Sequence, residues 1–122
     1  MATRGELEQR ILVLLWEADG PLTVAAVHQL LRQERDLAYT TVMTVLDRLA
    51  KKGLVGRTMV QRAWEYSPAQ SEEDLVARDM LALLAECSPD ARTGALSRFF
   101  ASLTPAQREL LQFGDAANDG ER

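Results

Sequence analysis

The sequence of 122 residues contains one cysteine and one histidine, and this scarcity limits its chemistry. Cys87 alone does not form an intramolecular disulfide, and Cys87 with His28 supplies too few ligands for a zinc or copper site. We expect Cys87 to be a small apolar residue near a helix end and His28 to be a partly exposed helix residue. An HExxH motif, a glycine-rich phosphate loop, a CxxC pair and a recognisable Ser/His/Asp set are also missing. The sequence therefore predicts no metal, no cofactor and no catalytic residue, and it argues against an enzyme.

Long apolar segments are missing too. The longest strongly apolar run, residues 11–16, is far shorter than the ~20 residues that cross a bilayer as a helix. Acidic residues flank this run, and the features of a signal peptide are absent from the sequence. We therefore expect a cytoplasmic protein that does not insert into a membrane.

Basic side chains are outnumbered, at 14 against 18 acidic ones, but they are unevenly distributed. Residues 32–62 carry seven basic and three acidic side chains, whereas residues 71–122 carry five basic and ten acidic ones. A basic block within an acidic chain indicates a local phosphate-binding surface. The negative net charge therefore does not exclude nucleic acid as a partner.

Apolar periodicity predicts three helices in the first half of the chain. An apolar stripe over residues 7–15 predicts the first, and Thr23 is a suitable N-cap for the second. The third is predicted from about Tyr39 to Lys52, with Gly53 at the position after the helix where left-handed geometry favours glycine.

The spacing of apolar residues then changes from helical to alternating. Residues 54–60 and 62–68 are rich in β-forming side chains and lie on either side of Gln61, which predicts a hairpin although no Asn-Gly or Asp-Gly marks its turn. Trp64 and Tyr66 alternate with Glu65, so we expect both aromatic side chains to pack in the core, with stacking on nucleic-acid bases as the less favoured alternative.

The remainder of the sequence predicts three further helices, over residues 72–86, 89–103 and 105–113. Ser71, Ser88 and Thr104 are suitable N-caps, and proline follows directly after two of them. Residues 114–122 are polar and are predicted to be frayed.

The third predicted helix has two chemically different faces. Its apolar stripe consists of Val42, Val45, Leu46 and Leu49. The opposite face begins with threonines and ends with long cations, which suits a helix inserted in the major groove of DNA. Threonine side chains reach base edges, Arg48 can contact a guanine or a phosphate, and Lys51 and Lys52 can contact the backbone. A solvated helix face with tolerated threonines is an alternative that this pattern leaves open.

The hairpin favours DNA binding, because three helices followed by a two-stranded wing compose a winged helix-turn-helix. Arg57 and Arg62 fall on or near this wing, where cations meet flanking phosphates or the minor groove. For Arg62, a plain surface charge in a turn is an equal alternative.

We predict a mainly α-helical protein with a small β-hairpin wing. Residues 1–69 form the winged helix-turn-helix DNA-binding domain, and residues 70–122 form a helical dimerisation region.

The segment DLAYTTVMTVLDRLAKKGLV, residues 36–55, followed by QRAWEYSP, resembles the BlaI/MecI/CopY family of penicillinase repressors. The resemblance extends to LEQRILVLLWEADGPLTVAAVHQLL, residues 7–31. It implies a homodimeric winged-helix repressor that binds a dyad-symmetric operator in double-stranded DNA through the helix 39–52. The predicted DNA-binding residues are Tyr39, Thr40, Thr41, Thr44, Arg48, Lys51, Lys52, Arg57 and Arg62.

Two features depart from the family pattern. Met59 and Val60 are apolar where the wing tip of the family is usually polar or charged, which puts wing contacts in question. The copper-responsive branch needs cysteine pairs near its C-terminus, and Cys87 alone argues against a copper sensor.

The predicted C-terminal helices carry more apolar side chains than one small core needs. A symmetric dimer would bury them and would place two recognition helices about 34 Å apart, one turn of DNA. A closed single-chain core is the less favoured alternative. The predicted dimerisation residues are Leu75, Val76, Met80, Leu83, Leu84, Leu96, Phe99, Phe100, Leu103, Leu110 and Leu111, with Phe113 continuing the same pattern.

The resemblance also implies release from DNA by proteolysis in the dimerisation region, governed by a membrane sensor-protease. Arg98–Phe99 is the candidate bond, although Phe99 and Phe100 have a simpler role as packed aromatics. The alternative function is a winged-helix adaptor that binds proteins and has no specific affinity for DNA.

Overall fold

The computed structural model describes the backbone of residues 4–119 and the side chains of residues 4–112. Within these residues the chain forms two compact units, one ending at Asp79 and the other beginning at Met80. The elements are α1 (Glu6–Glu17), β1 (Leu22–Thr23), α2 (Val24–Arg32), α3 (Tyr39–Lys51), β2 (Val55–Val60), β3 (Ala63–Pro68), α4 (Glu72–Ala85), α5 (Pro89–Ser102) and α6 (Pro105–Asp119). The predicted mainly helical fold with a small wing is confirmed, with β1 added to the hairpin.

The core of the first unit lies where the apolar stripes of α1, α2 and α3 meet. Fully buried side chains come from each of these helices, among them Ile11, Val27 and Leu46. Leu75 from α4 is also fully buried in this cluster. The expectation that Leu75 lies at a dimer interface is therefore corrected, because its side chain already packs inside the first unit.

The ends of α2 and α3 follow from local sequence. Thr23 caps α2, its hydroxyl accepting from the Ala26 amide at 3.1 Å. After α3, Gly53 has φ +76°, and the Leu54 amide donates to the Leu49 carbonyl at 3.0 Å. This is the Schellman arrangement, with both leucines buried beneath it. Helix α3 therefore stops where the wing must begin.

The wing is part of an antiparallel sheet with strand order β1-β3-β2 within the described residues. The register places Leu22 beside Tyr66 and closes the hairpin at the pair Val60 and Ala63. Gln61 and Arg62 form the turn with φ values of +50° and +69°, the left-handed geometry of a type I′ turn. The turn thus forms without the Asn-Gly or Asp-Gly that usually announces it, so Arg62 lies at the tip beside the exposed Met59 and Val60.

The prediction for the two wing aromatics is half right. Tyr66 is buried at 1% exposure, but Trp64 is 38% exposed and is not part of the core. Trp64 pairs with Met59 near the tip, whereas Tyr66 pairs with Arg57, two residue pairs closer to the helices. The two side chains share a face of the strand, but only the end of that face nearer the helices is covered.

The second unit contains the last turns of α4 with α5 and α6. Ser88 caps α5, and Thr104 and Gln107 form a reciprocal capping box on α6. Arg92 donates to the carbonyls of Leu84 and Cys87 at the end of α4. Arg108 does the same for the end of α5, through the carbonyls of residues 100 and 101. The turns between these helices are thus specified by local hydrogen bonds.

Helix α6 extends beyond its predicted end at residue 113 and reaches Asp119. A single glycine at position 114 costs only about 1 kcal/mol in a helix and does not end it, and the alanines that follow favour helix. Residues 120–122 and the side chain of Phe113 lie outside the described part of the chain.

Candidate nucleic-acid interface

The outward face of α3 presents the threonines together. Thr40, Thr41 and Thr44 are exposed, and with Val45 and Arg48 they line one shallow depression of about 320 Å³. Opposite them, Val42, Leu46 and Leu49 are fully buried against the other helices. The helix is therefore fixed by its apolar face, and its hydroxyl-rich face is directed to solvent.

The first turn of α3 also presents backbone amide groups that can donate hydrogen bonds. Its N-cap is Ala38, whose side chain makes no capping hydrogen bond. The positive end of a helix dipole with free amide groups favours anions such as phosphates. The signal for this feature in the sequence is Ala38 itself, an alanine where Ser, Thr, Asp or Asn is usual, and it was missed.

The start of α3 is positioned by polar contacts to α1 and α2. His28 Nε2 lies 2.7 Å from the Leu37 carbonyl, and its ring is edge-on to the ring of Tyr39 at 5.7 Å between centroids. Arg10 forms a forked ion pair with Glu34 in the segment that precedes α3. Tyr39 is 45% exposed, so one side contacts His28 while the rest remains open to solvent.

The predicted cations divide into two groups. Arg48 on α3 and Arg62 at the wing tip are exposed and have no carboxylate partner among the residues whose side chains are described. The other three predicted cations, Lys51, Lys52 and Arg57, are each paired with an acid. The structure therefore distinguishes cations that are free to bind a phosphate from cations that are already paired.

Lys51 and Arg57 share one acid. Asp47 Oδ2 lies 3.1 Å from Lys51 Nζ, and Asp47 Oδ1 lies 3.1 Å from Arg57 Nη1. The hydrogen bonds from Lys51 and then from Arg57 hold the pKa of Asp47 below its ordinary value. The guanidinium of Arg57 also lies 4.4 Å above the centre of the Trp64 ring, a cation–π contact.

Lys52 is paired with a buried acid. Its Nζ lies 2.9 Å and 3.1 Å from the two carboxylate oxygens of Glu8, a residue of α1 that is only 5% exposed. Burial raises the pKa of Glu8, but the hydrogen bonds from Lys52 and the Gly5 amide, with the charges of Lys52 and Arg48, bring it below the ordinary value. The expectation that Lys52 is a free phosphate-binding cation therefore needs revision.

Met43 belongs to the same exposed face and was missed at the sequence level. Its side chain is 42% exposed and, with Thr44, Asp47, Arg57, Trp64 and Tyr66, lines a groove of about 290 Å³ between α3 and the wing. Its spacing of three residues from Thr40 would have placed it on the polar face. An apolar side chain there suits contact with a thymine methyl group.

Three core helices, a small sheet with a projecting wing, and an exposed hydroxyl-rich α3 beside that wing define a winged-helix protein of the transcriptional-regulator class. The comparisons with known proteins give its family. The sequence profile described as penicillinase repressor matches residues 4–113. The chain belongs to the penicillinase repressor family, whose members are transcriptional repressors and not enzymes.

The relatives agree with this assignment. The chain is 46% identical over 96 residues to the transcriptional regulator BlaI of Mycobacterium tuberculosis, covering 78% of this chain and 70% of that protein. The monomeric form of Bacillus licheniformis BlaI, solved in complex with the blaP half-operator, aligns with a TM-score of 0.50 and 23% identity over 60% of this chain and 88% of the other. The hsRosR-S4 complex structure aligns with a TM-score of 0.55 and 22% identity, over 81% and 88%. These structural matches support the fold.

Two further observations concern other kinds of site. No helix in the described residues is long and apolar enough to cross a membrane. No group of three or more His, Cys, Asp or Glu side chains suited to a metal ion occurs in that same part of the chain.

Proposed function

We propose that the chain is a homodimeric DNA-binding repressor that recognises a dyad-symmetric operator with α3 and contacts the flanking backbone with the wing. The observation that carries this proposal is the depression on α3, where three threonines face solvent together with Arg48, which has no carboxylate partner among the described side chains. The solved half-operator complex of Bacillus licheniformis BlaI, a protein of the same fold, supports it.

The DNA-binding residues take different roles in this proposal. Thr40, Thr41, Thr44 and Arg48 are assigned to base edges in the major groove, and Arg62 to backbone or minor-groove contacts at the wing tip. Tyr39 is assigned to the backbone beside the uncapped start of α3. Lys51 and Arg57 are secondary phosphate contacts because both already bind Asp47. Lys52 is assigned a structural role through Glu8.

The dimer proposal rests on the exposed apolar surface of the second unit. Between Met80 and residue 112 no side chain is buried, so this unit has no core of its own among the described side chains. Large apolar side chains are nevertheless frequent there, with exposures of 54% for Leu83 and 45% for Phe99. Large apolar side chains exposed in this number are typical of an interface. The other exposed members are Met80, Leu81, Leu96, Phe100, Leu110 and Leu111, with Leu84 and Leu103 half-buried.

The two-unit division refines the proposed dimerisation region, which we assign to residues 70–122. Helix α4 crosses the division between Asp79 and Met80. Its first half is attached to the DNA-binding unit through the buried Leu75 and through the ion pair of Asp79 with Arg4 at 2.8 Å. Val76, in the same half of α4, is 45% exposed, and we keep it among the proposed dimer-interface residues. The dimer contact is thus concentrated from Met80 onward.

We also propose that cleavage in the dimerisation region, by a protease under the control of a membrane sensor, releases the repressor. The candidate bond Arg98–Phe99 lies inside α5, and the Arg98 carbonyl accepts a hydrogen bond from the Ser102 hydroxyl at 2.9 Å. Cleavage there requires local unwinding of α5, which is feasible because none of the described side chains from Met80 onward is buried. Mass spectrometry of the protein from induced and uninduced cells tests the proposal, and intact chain under full induction would contradict it.

The decisive experiment is a DNA-binding titration by fluorescence anisotropy at several salt concentrations. One duplex covers the region upstream of the protein's own gene, and the other is a scrambled duplex of the same composition. The proposal predicts two chains per upstream duplex, tighter binding to that duplex, and an affinity that falls steeply with salt. Weak, equal binding to both duplexes would argue for the adaptor function and against an operator in this region.

A further inference from the structure

Asp47 is the one acidic residue in the sequence of α3, and it lies on the face of that helix proposed to meet DNA. An unpaired carboxylate close to phosphates is repelled by them at short range. In a DNA-binding helix such a residue therefore needs either a partner or a function.

The structure supplies two partners from different elements. Lys51 Nζ reaches one carboxylate oxygen from the next turn of α3, and Arg57 Nη1 reaches the other from strand β2, each at 3.1 Å. The Arg57 side chain is 30% exposed because its guanidinium lies between this carboxylate and the face of Trp64. One acid thus connects α3 to the wing and pairs with two of the five predicted DNA-binding cations.

We propose that Asp47 limits sequence-independent DNA binding by engaging Lys51 and Arg57, two cations that would otherwise bind phosphates. The inference rests on the proposed DNA-binding function and adds a positioning residue that controls its specificity. The residues assigned to base edges are not its partners: among the described side chains, Thr40, Thr44 and Arg48 form no hydrogen bond or ion pair with the carboxylate.

The effect follows from the competition between the carboxylate and the DNA backbone. A phosphate that binds Lys51 or Arg57 must displace the Asp47 carboxylate from that cation. This displacement breaks the ion pair and leaves the negative charge of Asp47 close to the phosphate. Non-specific binding depends on the number of neutralised phosphates, and each one contributes about 0.9 to the slope of log affinity against log salt. Base contacts by the threonines carry no such penalty, so Asp47 increases the ratio of specific to non-specific affinity.

The test compares wild type with Asp47→Asn on the scrambled duplex, with anisotropy measured across a range of salt concentrations. Asp36→Asn is the matched control, because Asp36 is exposed, has no ion-pair partner among the described side chains, and loses the same unit charge. We expect Asp47→Asn to steepen the salt slope by roughly 0.9–1.8, for one or two released cations, and Asp36→Asn to leave the slope unchanged. Equal slopes for wild type and Asp47→Asn, or equal steepening by both variants, would overturn the proposal.

Arg57→Gln completes a double-mutant cycle. In the Asp47→Asn background it should remove about 0.9 of the slope, because Arg57 is then free to bind a phosphate. In the wild-type background it should change the slope less, because Arg57 is engaged. The same loss in both backgrounds would show that Arg57 binds phosphates despite Asp47 and would overturn the proposal.

The scrambled duplex keeps this test separate from that of the operator. Wild type that binds the upstream and scrambled duplexes equally argues against an operator in the upstream region, while the comparison of Asp47→Asn with Asp36→Asn still decides the role of Asp47. Wild type and variants that all fail to bind DNA at low salt would overturn both proposals together.

Discussion

Lys52→Ala separates two roles of a cation at the end of α3. The sequence alone predicts a phosphate contact, whose loss weakens binding to every DNA sequence. The structure predicts a loss of stability, because the substitution leaves Glu8 without its partner, and the side chain of that glutamate is only 7% exposed.

The expected loss can be estimated from burial. Removing one partner of a fully buried ion pair costs about 3–5 kcal/mol. Lys52 is 43% exposed and the Gly5 amide still donates to Glu8, so we discount this to roughly 1–3 kcal/mol. Each kcal/mol lowers the Tm of a domain of this size by about 4–8 °C.

The assay is urea and thermal unfolding at one fixed protein concentration, followed by tryptophan fluorescence. Both tryptophans, Trp16 and Trp64, lie in the first unit, and Trp16 donates to the Gln70 carbonyl, so the signal reports on that unit. Lys51→Ala is the matched control: it removes a neighbouring lysine that is 75% exposed, and it should change stability by less than about 0.5 kcal/mol. Two results together would refute the structural role of Lys52. The Lys52→Ala variant would have the same free energy of unfolding as Lys51→Ala, and it would flatten the salt slope of DNA binding by about 0.9.

The pH dependence gives an independent check on the same pair. The pKa of Glu8 is lower in the folded protein than its ordinary value. Its contribution to stability is therefore fully present above the unfolded pKa of about 4.3 and is lost as the pH falls through the folded pKa. Wild type should lose more stability between pH 6 and pH 3 than Glu8→Gln does. Parallel stability profiles for the two proteins would contradict this.

Three further predictions concern the DNA interface and the dimer. Thr44→Ala should relax base preference, with little change in affinity for scrambled duplex, as measured by competition between the two duplexes; equal losses on both would contradict a role in base recognition. Leu83→Asp should abolish the dimer and tight operator binding while the first unit stays folded, as followed by light scattering and circular dichroism; a dimeric and fully active variant would contradict the interface. Arg62→Gly should stabilise the wing by up to about 1 kcal/mol, because glycine suits the positive φ of the turn, but weaken DNA binding. If the Arg62→Gly variant bound DNA with unchanged affinity, Arg62 would not be a DNA-contacting residue.

The helices and their ends were predictable because they depend on residues close together in sequence. The buried stripe of α3, the Thr23 cap and the left-handed Gly53 each follow from side-chain periodicity or from backbone geometry within one turn. The turn at Gln61 was predictable only in position. Its type I′ geometry is imposed by strand pairing on residues that do not by themselves favour positive φ.

The partners of the charged residues could not be predicted from neighbouring residues in the sequence. The sequence placed five cations on α3 and the wing, but Lys52 pairs with Glu8, 44 positions earlier, and Arg57 pairs with Asp47 across two elements. The exposure of Trp64 and the burial of Leu75 are likewise decided by which element lies above each side chain.

By itself, the sequence determined the helical order, the wing, the hydroxyl-rich face of α3 and the family resemblance, because periodicity, caps and motifs act over a few neighbouring residues. Only the tertiary structure decided which cations remain free for phosphate, which acids restrain the others, and where the first unit's core ends along α4. The physical reason is that ion pairing and burial depend on distances in space between residues that are remote in the chain.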